Sequence, residues 1–195
     1  MTTQDPRVEQ WLRTAQESPE ASLRALGVPE RYCRVKASKL RPNDSGMFIY
    51  GPAGSGKTTE AAAVLAAMLP ELAVEQNGVS PRYQFSAAWV SAPMLTAELR
   101  QSFQRKAGPT ELEIINRYIG LKMLVLDDLG AEKASEYNSQ SMYLLLSERI
   151  NWLRPTIVTS NMNPDEIHKI DPRLGSRLCG MQTVRFTHRD FRAEG

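Results

Sequence analysis

The chain has 195 residues and a formal net charge of +2, with 42% hydrophobic and 24% charged residues. This profile is typical of one globular domain, or of one domain with a short appendage. Its longest apolar run, residues 61–69, is too short to span a membrane, and its first residues lack the pattern of a signal peptide. Cys33 and Cys179 lack metal-ligand spacing, so we expect free thiols in a reducing cytoplasm. The small net charge neither requires nor excludes a nucleic-acid partner.

Residues 1–46 differ from the rest and predict a short helical N-terminal extension. A first helix is indicated by an apolar stripe, and a second would begin after Ser18 and stop at Gly27. The stripe consists of Val8, Trp11, Leu12 and Ala15. This extension either docks on a partner or covers the core. It ends in a segment with five basic residues, Arg31, Arg34, Lys36, Lys39 and Arg41.

From residue 47 onward, strand patterns alternate with helix patterns. Strands are predicted at 47–50, 89–91, 123–126, 156–159 and 183–186, and helices at 57–69, 94–106, 110–118 and 137–152, with two shorter helices beginning near Asn163 and Asp171. The alternation predicts an α/β three-layer sandwich with a five-stranded parallel sheet, spanning 47–195 and without a helical lid domain after the last strand. The residues expected to face inward on two helices are Leu95, Leu99 and Phe103, and Met142, Leu145, Ile150 and Leu153.

Residues 51–58 match the P-loop pattern and lie between a predicted strand and a predicted helix. Glycines allow successive backbone N–H groups to converge on phosphates, and the helix N-terminus adds partial positive charge. We expect Lys57 to reach the β- and γ-phosphates and Thr58 to bind Mg²⁺. A Gly-rich turn without a ligand is the alternative. The predicted ATP-binding residues are Gly51, Pro52, Ala53, Gly54, Ser55, Gly56, Lys57, Thr58 and Thr59.

The predicted strand 123–126 ends in two carboxylates, Asp127 and Asp128. The carboxyl ends of parallel strands form the ligand-binding edge of an open α/β sheet. We therefore expect Asp127 to hold Mg²⁺, directly or through water, and Asp128 to orient or deprotonate the attacking water. The alternative is a simple turn after a core strand, since aspartate favours turns.

Other residues narrow the class of P-loop protein. The Asn-Lys-x-Asp guanine motif and the Leu-Ser-Gly-Gly-Gln motif of transporter ATPases are missing from the sequence. Asn161 follows a predicted strand, where it would sense the γ-phosphate or, alternatively, cap a helix. Arg173 and Arg177 lie one helical turn apart. They would either neutralise transition-state charge in a neighbouring subunit or remain solvated surface residues.

Together these segments resemble the DnaC/IstB family of AAA+ ATPases, which are bacterial and phage helicase loaders and transposase helpers. The segments that carry the resemblance are 51–58, 124–133, 155–161 and 176–178, with weaker similarity at 27–32 and 190–192. The resemblance implies that Asn161 is a sensor, that Arg177 is an arginine finger with Arg173 as a second contact, and that residues 27–32 lie near the adenine. Since such a finger works only in trans, it also implies a homo-oligomeric ring or spiral.

The family resemblance implies an ATPase of DNA replication that binds single-stranded DNA and loads a replicative helicase. The expected DNA contacts are Arg100, Arg105 and Lys106, for which a solvated charged face is the alternative. A second hypothesis is an ATP-dependent helper of a DNA transposase, which would share every catalytic residue. A third is a small-molecule phosphotransferase, which the pattern of Asn161 and Arg177 disfavours.

Overall fold

The computed structural model describes residues 13, 15, 17–76, 82–104, 107–130 and 136–187. Its helices are α1 (Pro19–Ala25), α2 (Lys57–Met68), α3 (Ala92–Gln104), α4 (Glu111–Gly120), α5 (Glu136–Asn151), α6 (Pro164–Ile170) and α7 (Pro172–Cys179). Its strands are β1 (Met47–Tyr50), β2 (Ala73–Gln76), β3 (Arg82–Phe85), β4 (Ala87–Ser91), β5 (Met123–Leu129), β6 (Thr156–Ser160) and β7 (Gln182–Arg185). Short 3₁₀ turns occur at Glu30–Tyr32 and Leu69–Leu72. None of the helices described is both long and apolar enough to cross a membrane.

The main sheet has five strands in the order β4-β5-β6-β1-β7, and every neighbouring pair is parallel. This confirms the predicted five-stranded parallel sheet. Strand β6 lies between β1, which leads into the P-loop, and β5, which carries the two aspartates. The carboxyl ends of these three strands therefore meet at one edge. A separate antiparallel pair, β2 and β3, was not predicted from the sequence.

Helices cover both faces of the sheet, as the alternating strand side chains require. Met47 and Ile49 belong to one buried cluster with residues of α2, whereas Phe48 between them belongs to a second cluster with residues of α3, α4, α5, α6 and α7. Each fully buried aliphatic or aromatic side chain contributes about 1.5–3 kcal/mol of transfer free energy. The two clusters thus hold the sheet edge in place from both sides.

The described part of the N-terminal segment packs on the face covered by α2. Leu23, Val28 and Cys33 are buried in the cluster that contains Met47. The segment is also fixed by its backbone, since the N–H of Trp89 donates to the carbonyl of Leu26 at 2.8 Å. Partner docking by this segment stays a prediction. Of its first predicted helix, Ala15 is helical and buried, whereas Val8, Trp11 and Leu12 lie outside the described residues.

The inward-facing residues of two helices were predicted only in part. Leu95, Leu99, Met142 and Leu145 are buried and Ile150 is half-buried, but Phe103 is 62% exposed and Leu153 is 65% exposed. Each four-residue step rotates a helix position by about 40°, so Phe103 has turned away from the stripe that begins at Leu95. Leu153 lies beyond the end of α5, in a turn with φ +50°. The inward assignment of Phe103 and Leu153 is therefore wrong.

Arg149 of α5 is fully buried and joins the loops at the opposite edge of the sheet. Its guanidinium donates to the carbonyls of Tyr118 and Leu121 at 2.6 and 2.9 Å, beside the end of α4. It also donates to Thr156 Oγ1 and to the Pro155 carbonyl, both at 2.8 Å. Burial lowers the pKa of Arg149 to about 9. These bonds place the start of β6 against the connection that leads into β5.

Candidate nucleotide-binding site

The P-loop connects β1 to α2, and its backbone requires glycine at several positions. Gly54 and Gly56 have φ values of +77° and +93°, a region that favours glycine. Gly51 has φ +151°, and a Cβ added there would lie 2.2 Å from the carbonyl oxygen of Phe186. Helix α2 then begins at Lys57, with Gly56 as its N-cap. The loop therefore presents a helix N-terminus whose cap residue has no side-chain oxygen to compete with a bound anion.

Lys57 is buried at the centre of this loop, with 5% of its surface exposed. Its ammonium donates to the carbonyl of Pro52 at 2.7 Å and to the side-chain oxygen of Asn161 at 2.9 Å. The structure thus brings together two predicted site residues, Asn161 directly after β6 and Lys57 at the start of α2. Nearby, the buried hydroxyl of Ser55 has no hydrogen-bond partner among the described residues. An orphaned buried polar atom in a phosphate loop fits a site that is completed by a phosphate oxygen.

The two aspartates of β5 are linked to each other through a threonine that the sequence analysis missed. The hydroxyl of Thr159 on β6 donates its hydrogen to Asp127 Oδ1 at 2.6 Å, and Thr159 Oγ1 accepts the backbone N–H of Asp128 at 2.9 Å. Hydrogen bonding with the side chain of Thr58 also lowers the pKa of Asp127. The two residues predicted to bind Mg²⁺, Thr58 and Asp127, therefore lie close to each other.

The end of β5 has an irregular backbone that separates its two carboxylates. The register between β5 and β6 shifts between Leu126 and Leu129, and Asp128 has φ +57°. Such a conformation is unfavourable for a residue other than glycine, and it is typical of functional sites. Ser160 stabilises the bulge, since its hydroxyl donates to the carbonyl of Leu129 at 2.6 Å. As a result, Asp127 is buried while the side chain of Asp128 lines the adjacent cavity.

The environment of Asp127 opposes ionisation of its carboxyl group. Burial raises the pKa of Asp127, the hydrogen bond from Thr159 lowers it, and the charge of Asp128 raises it again. Smaller lowering contributions come from Thr58 and Lys57. A bound divalent cation would reverse this balance, because it favours the ionised carboxylate.

A cavity of about 590 Å³ joins these groups, a volume within the range of small-molecule sites. It is lined by the loop, by Asp128 and Asn161, and by Arg31, Tyr32 and Phe186. The sequence resemblance indicated residues 27–32 as lying near the adenine but did not indicate Phe186. Of the predicted ATP-binding residues, Ala53 to Thr59 line this cavity, whereas Gly51 and Pro52 line an adjoining one of about 670 Å³.

The two predicted arginines lie on α7. Neither Arg173 nor Arg177 is among the described residues that line it. Asp171 caps α7 by accepting the N–H groups of Arg173 and Leu174, and its carboxylate forms an ion pair with the Arg173 guanidinium at 3.3 Å. The guanidinium carbons of Arg173 and Arg177 lie 5.1 and 6.0 Å from the ring centroid of Tyr143 on α5.

The predicted DNA contacts are described only in part. Arg100 is exposed on α3, the helix that connects β4 to the region before β5. Arg105 and Lys106 lie outside the described residues. The same holds for residues 131–135 and 188–195, which include parts of the segments that carry the family resemblance.

No protein-family model matches this sequence. Among curated proteins, the chain is similar to the chromosomal replication initiator protein DnaA of Bordetella pertussis, with 28% identity over 139 residues. The aligned region is 71% of this chain and 27% of the initiator, so the chain spans about a quarter of the length of the curated relatives it matches.

Among solved structures, the fold is similar to that of the replication initiator DnaA bound to AMPPCP and single-stranded DNA. That comparison gives a TM-score of 0.60 and 19% identity, covering 96% of this chain and 52% of the other. The DnaC helicase loader is also similar, with a TM-score of 0.54 and 15% identity over 96% of this chain and 92% of the other. The structural neighbours thus include a protein of the type that the sequence resembles. The chain has the same α/β fold as these two replication proteins, with a five-stranded parallel sheet.

Proposed function

We propose that this protein is an ATPase of DNA replication that works as an oligomer, binds single-stranded DNA and loads a replicative helicase onto it. One observation carries the ATPase assignment: Lys57, Asn161 and the cluster of Thr58, Asp127 and Thr159 converge on one sheet edge, beside a cavity of about 590 Å³. The loader assignment is supported by the sequence resemblance to the DnaC/IstB family.

The residues at this edge fit ATP with Mg²⁺. The N–H groups of the P-loop and the ammonium of Lys57 would hold the phosphates, and the unpaired Ser55 hydroxyl fits a further phosphate contact. The adjacent oxygens of Thr58 and Asp127 are the hard ligands that Mg²⁺ prefers. When bound, Mg²⁺ neutralises charge on the phosphate oxygens.

The other groups would act on the attacking water and on the transition state. Asp128 lines the cavity and would orient or deprotonate the water as general base. Asn161, which contacts Lys57, would sense the γ-phosphate and help to position that water. Arg177 would enter the site of a neighbouring copy, since it is not among the described residues that line the cavity of its own chain.

The nucleotide assignment is tested by measuring ATP affinity in Lys57→Ala and in Lys39→Ala, a matched change of an exposed lysine outside the cavity. We expect Lys57→Ala to lose ATP binding and Lys39→Ala to bind like the wild type. Retained affinity in Lys57→Ala would refute the site assignment. A specific hydrolysis rate that rises with protein concentration would support trans catalysis. Phosphate transfer to a metabolite, independent of protein concentration, would instead favour the phosphotransferase.

The partner is tested by expressing the tagged protein in its native host and identifying by mass spectrometry the proteins that co-purify with ATP present. A replicative helicase is the expected result, and the Lys57→Ala protein is the control for dependence on ATP. Capture of a transposase would replace the loader assignment with the transposase-helper alternative, while leaving the ATP chemistry unchanged.

The DNA contact is tested by fluorescence anisotropy with a single-stranded oligonucleotide over a series of salt concentrations. We expect Arg100→Gln to weaken binding and to reduce the salt slope by about 1, the effect of losing one phosphate contact. Arg34→Gln removes an exposed arginine that pairs with Glu20 elsewhere on the surface, and it serves as the matched control. Equal binding by both variants would remove Arg100 from the DNA site. Tighter binding to duplex would favour the transposase helper.

A further inference from the structure

Tyr143 on α5 lies against the two arginines of α7. The guanidinium carbon of Arg173 is 5.1 Å and that of Arg177 is 6.0 Å from the centroid of its ring. Both distances are within the range at which an aromatic face attracts a cation. Hydrogen bonding with Arg177 and with Ser147, one turn along α5, lowers the pKa of the Tyr143 phenol.

The two arginines differ in how their charges are compensated. Arg173 forms an ion pair with Asp171, which neutralises its charge locally. For Arg177, no carboxylate partner occurs in the described part of the chain, and its guanidinium lies against the ring of Tyr143. An aromatic ring holds a guanidinium through its quadrupole without adding a negative charge. Arg177 is therefore held in place while its positive charge stays uncompensated, which suits a group that must meet an external anion.

We propose that Tyr143 is a positioning residue that orients Arg177 toward the triphosphate bound by a neighbouring copy of this chain. This inference rests on the proposed function, in which Arg177 acts in trans. An unrestrained arginine loses rotamer freedom when it engages a ligand, and that loss weakens the interaction. The contact with Tyr143 restricts the guanidinium before the subunits meet, so that less freedom is lost in the transition state.

The test uses steady-state ATP hydrolysis by the full chain, titrated over protein concentration, with Tyr143→Leu, Tyr143→Phe and Tyr118→Leu. We expect Tyr143→Leu to lower the rate at saturating protein about tenfold or more, the equivalent of one misplaced charge contact. Its ATP affinity should change less than about twofold, because its own nucleotide site is intact. The protein concentration at which the rate is half-maximal should also change less than about twofold. Tyr143→Phe keeps the aromatic ring, so its hydrolysis rate should fall less than that of Tyr143→Leu. Tyr118→Leu is the matched control, since it removes a similar contact with Arg117 on α4.

Mixing experiments distinguish action in trans from a local structural effect. Asp128→Asn has an inactive site but an intact Tyr143 and Arg177, whereas Tyr143→Leu has the reverse. We expect the mixture to hydrolyse ATP faster than either variant alone. A wild-type rate for Tyr143→Leu, or a loss that mixing does not restore, would overturn the positioning role.

The parallel mixture of Arg177→Ala with Asp128→Asn identifies which inference has failed. Restoration in that mixture, but not with Tyr143→Leu, would overturn the role of Tyr143 alone. Without restoration in either mixture, both the trans action of Arg177 and the role of Tyr143 that rests on it would be overturned.

Discussion

The ammonium of Lys57 lies 2.9 Å from the side-chain oxygen of Asn161, so the P-loop is joined directly to the end of the strand between it and the acidic strand. An amide oxygen at this place can hold the lysine side chain without neutralising its charge, whereas a carboxylate would neutralise it. The contact links the residue expected to bind phosphate with the residue expected to sense its hydrolysis.

Asn161→Ala should therefore impair hydrolysis much more than binding. Removal of one preorganised polar group commonly lowers turnover about a hundredfold, and Lys57 keeps its bond to the Pro52 carbonyl. We expect ATP affinity, measured with a fluorescent analogue, to change less than about threefold. Asn163→Ala, which removes the N-cap of α6, is the control: it should cost about 1 kcal/mol of stability and leave turnover unchanged. Equal turnover in Asn161→Ala and the wild type would remove Asn161 from the catalytic group.

Thr159→Val should uncouple the two aspartates while preserving the shape of the side chain. It removes the hydroxyl that donates to Asp127 and accepts from the Asp128 backbone, leaving a partly buried N–H without that acceptor. We expect a loss of about 1–3 kcal/mol in the free energy of unfolding and a clear increase in the Mg²⁺ concentration needed for hydrolysis. The measurement is a Mg²⁺ titration of ATPase activity, paired with urea denaturation.

Thr156→Val is the matched control for this experiment, because Thr156 is buried at the opposite end of the same strand. This substitution removes the hydroxyl that accepts a hydrogen bond from Arg149, so it should also lower the free energy of unfolding. Since it lies away from the aspartates, its Mg²⁺ requirement should equal that of the wild type. If both variants shift the Mg²⁺ titration alike, the effect of Thr159 is a general loss of stability rather than a change at the metal site.

Local patterns in the sequence predicted the sheet and the phosphate loop, because both depend on short-range rules. A strand, a glycine-rich turn and a helix N-terminus are adjacent in the chain, and so are the apolar strand β5 and its aspartates. The role of Thr159 was missed because it depends on the register of β6 against β5, a long-range pairing with a shift after Leu126. Phe186 was missed for the same reason, since its place follows from the pairing of β7 with β1.

Two further differences between the sequence-based predictions and the structure have local causes. The β2-β3 pair was missed because its strands are short and partly polar, although Asn77-Gly78 between them in the sequence is a typical hairpin signal. Leu153 was assigned to an inward helix face because apolar spacing alone does not mark where a helix ends. Spacing predicts which residues share a face only as far as the helix continues.

Arg149→Lys should destabilise the protein without altering its nucleotide site. Lysine keeps the positive charge but lacks the planar fork that reaches Thr156, Pro155 and the carbonyls at the end of α4. We expect the free energy of unfolding to fall by about 3 kcal/mol, measured by urea denaturation, with unchanged ATP affinity in the folded protein. Arg154→Lys, which removes one bond to the Ile119 carbonyl, should cost about 1 kcal/mol. A smaller loss for Arg149→Lys than for Arg154→Lys would contradict this account.

Asp127→Asn should stabilise the nucleotide-free protein at neutral pH and abolish its response to Mg²⁺. Burial raises the pKa of Asp127 in the folded state, so the folded protein binds this proton more tightly than the unfolded chain does. The free energy of unfolding therefore falls as pH rises from the ordinary aspartate pKa of about 3.9 through the raised folded value. At pH 7 the ionised carboxylate destabilises the fold, and the neutral amide removes that cost.

Thermal unfolding over a pH series, with and without ATP and Mg²⁺, measures this effect. Without ligand at pH 7, Asp127→Asn should melt a few degrees above the wild type, about the shift that 1 kcal/mol produces in a domain of this size. The difference should vanish near pH 4, where the wild-type carboxyl is protonated. With ATP and Mg²⁺ the order should reverse, because only the wild type gains stability from the bound metal. Asp44→Asn, at an exposed turn, should change neither curve. If Asp127→Asn melts below the wild type without ligand at pH 7, the ionised Asp127 stabilises the fold, which would contradict this prediction.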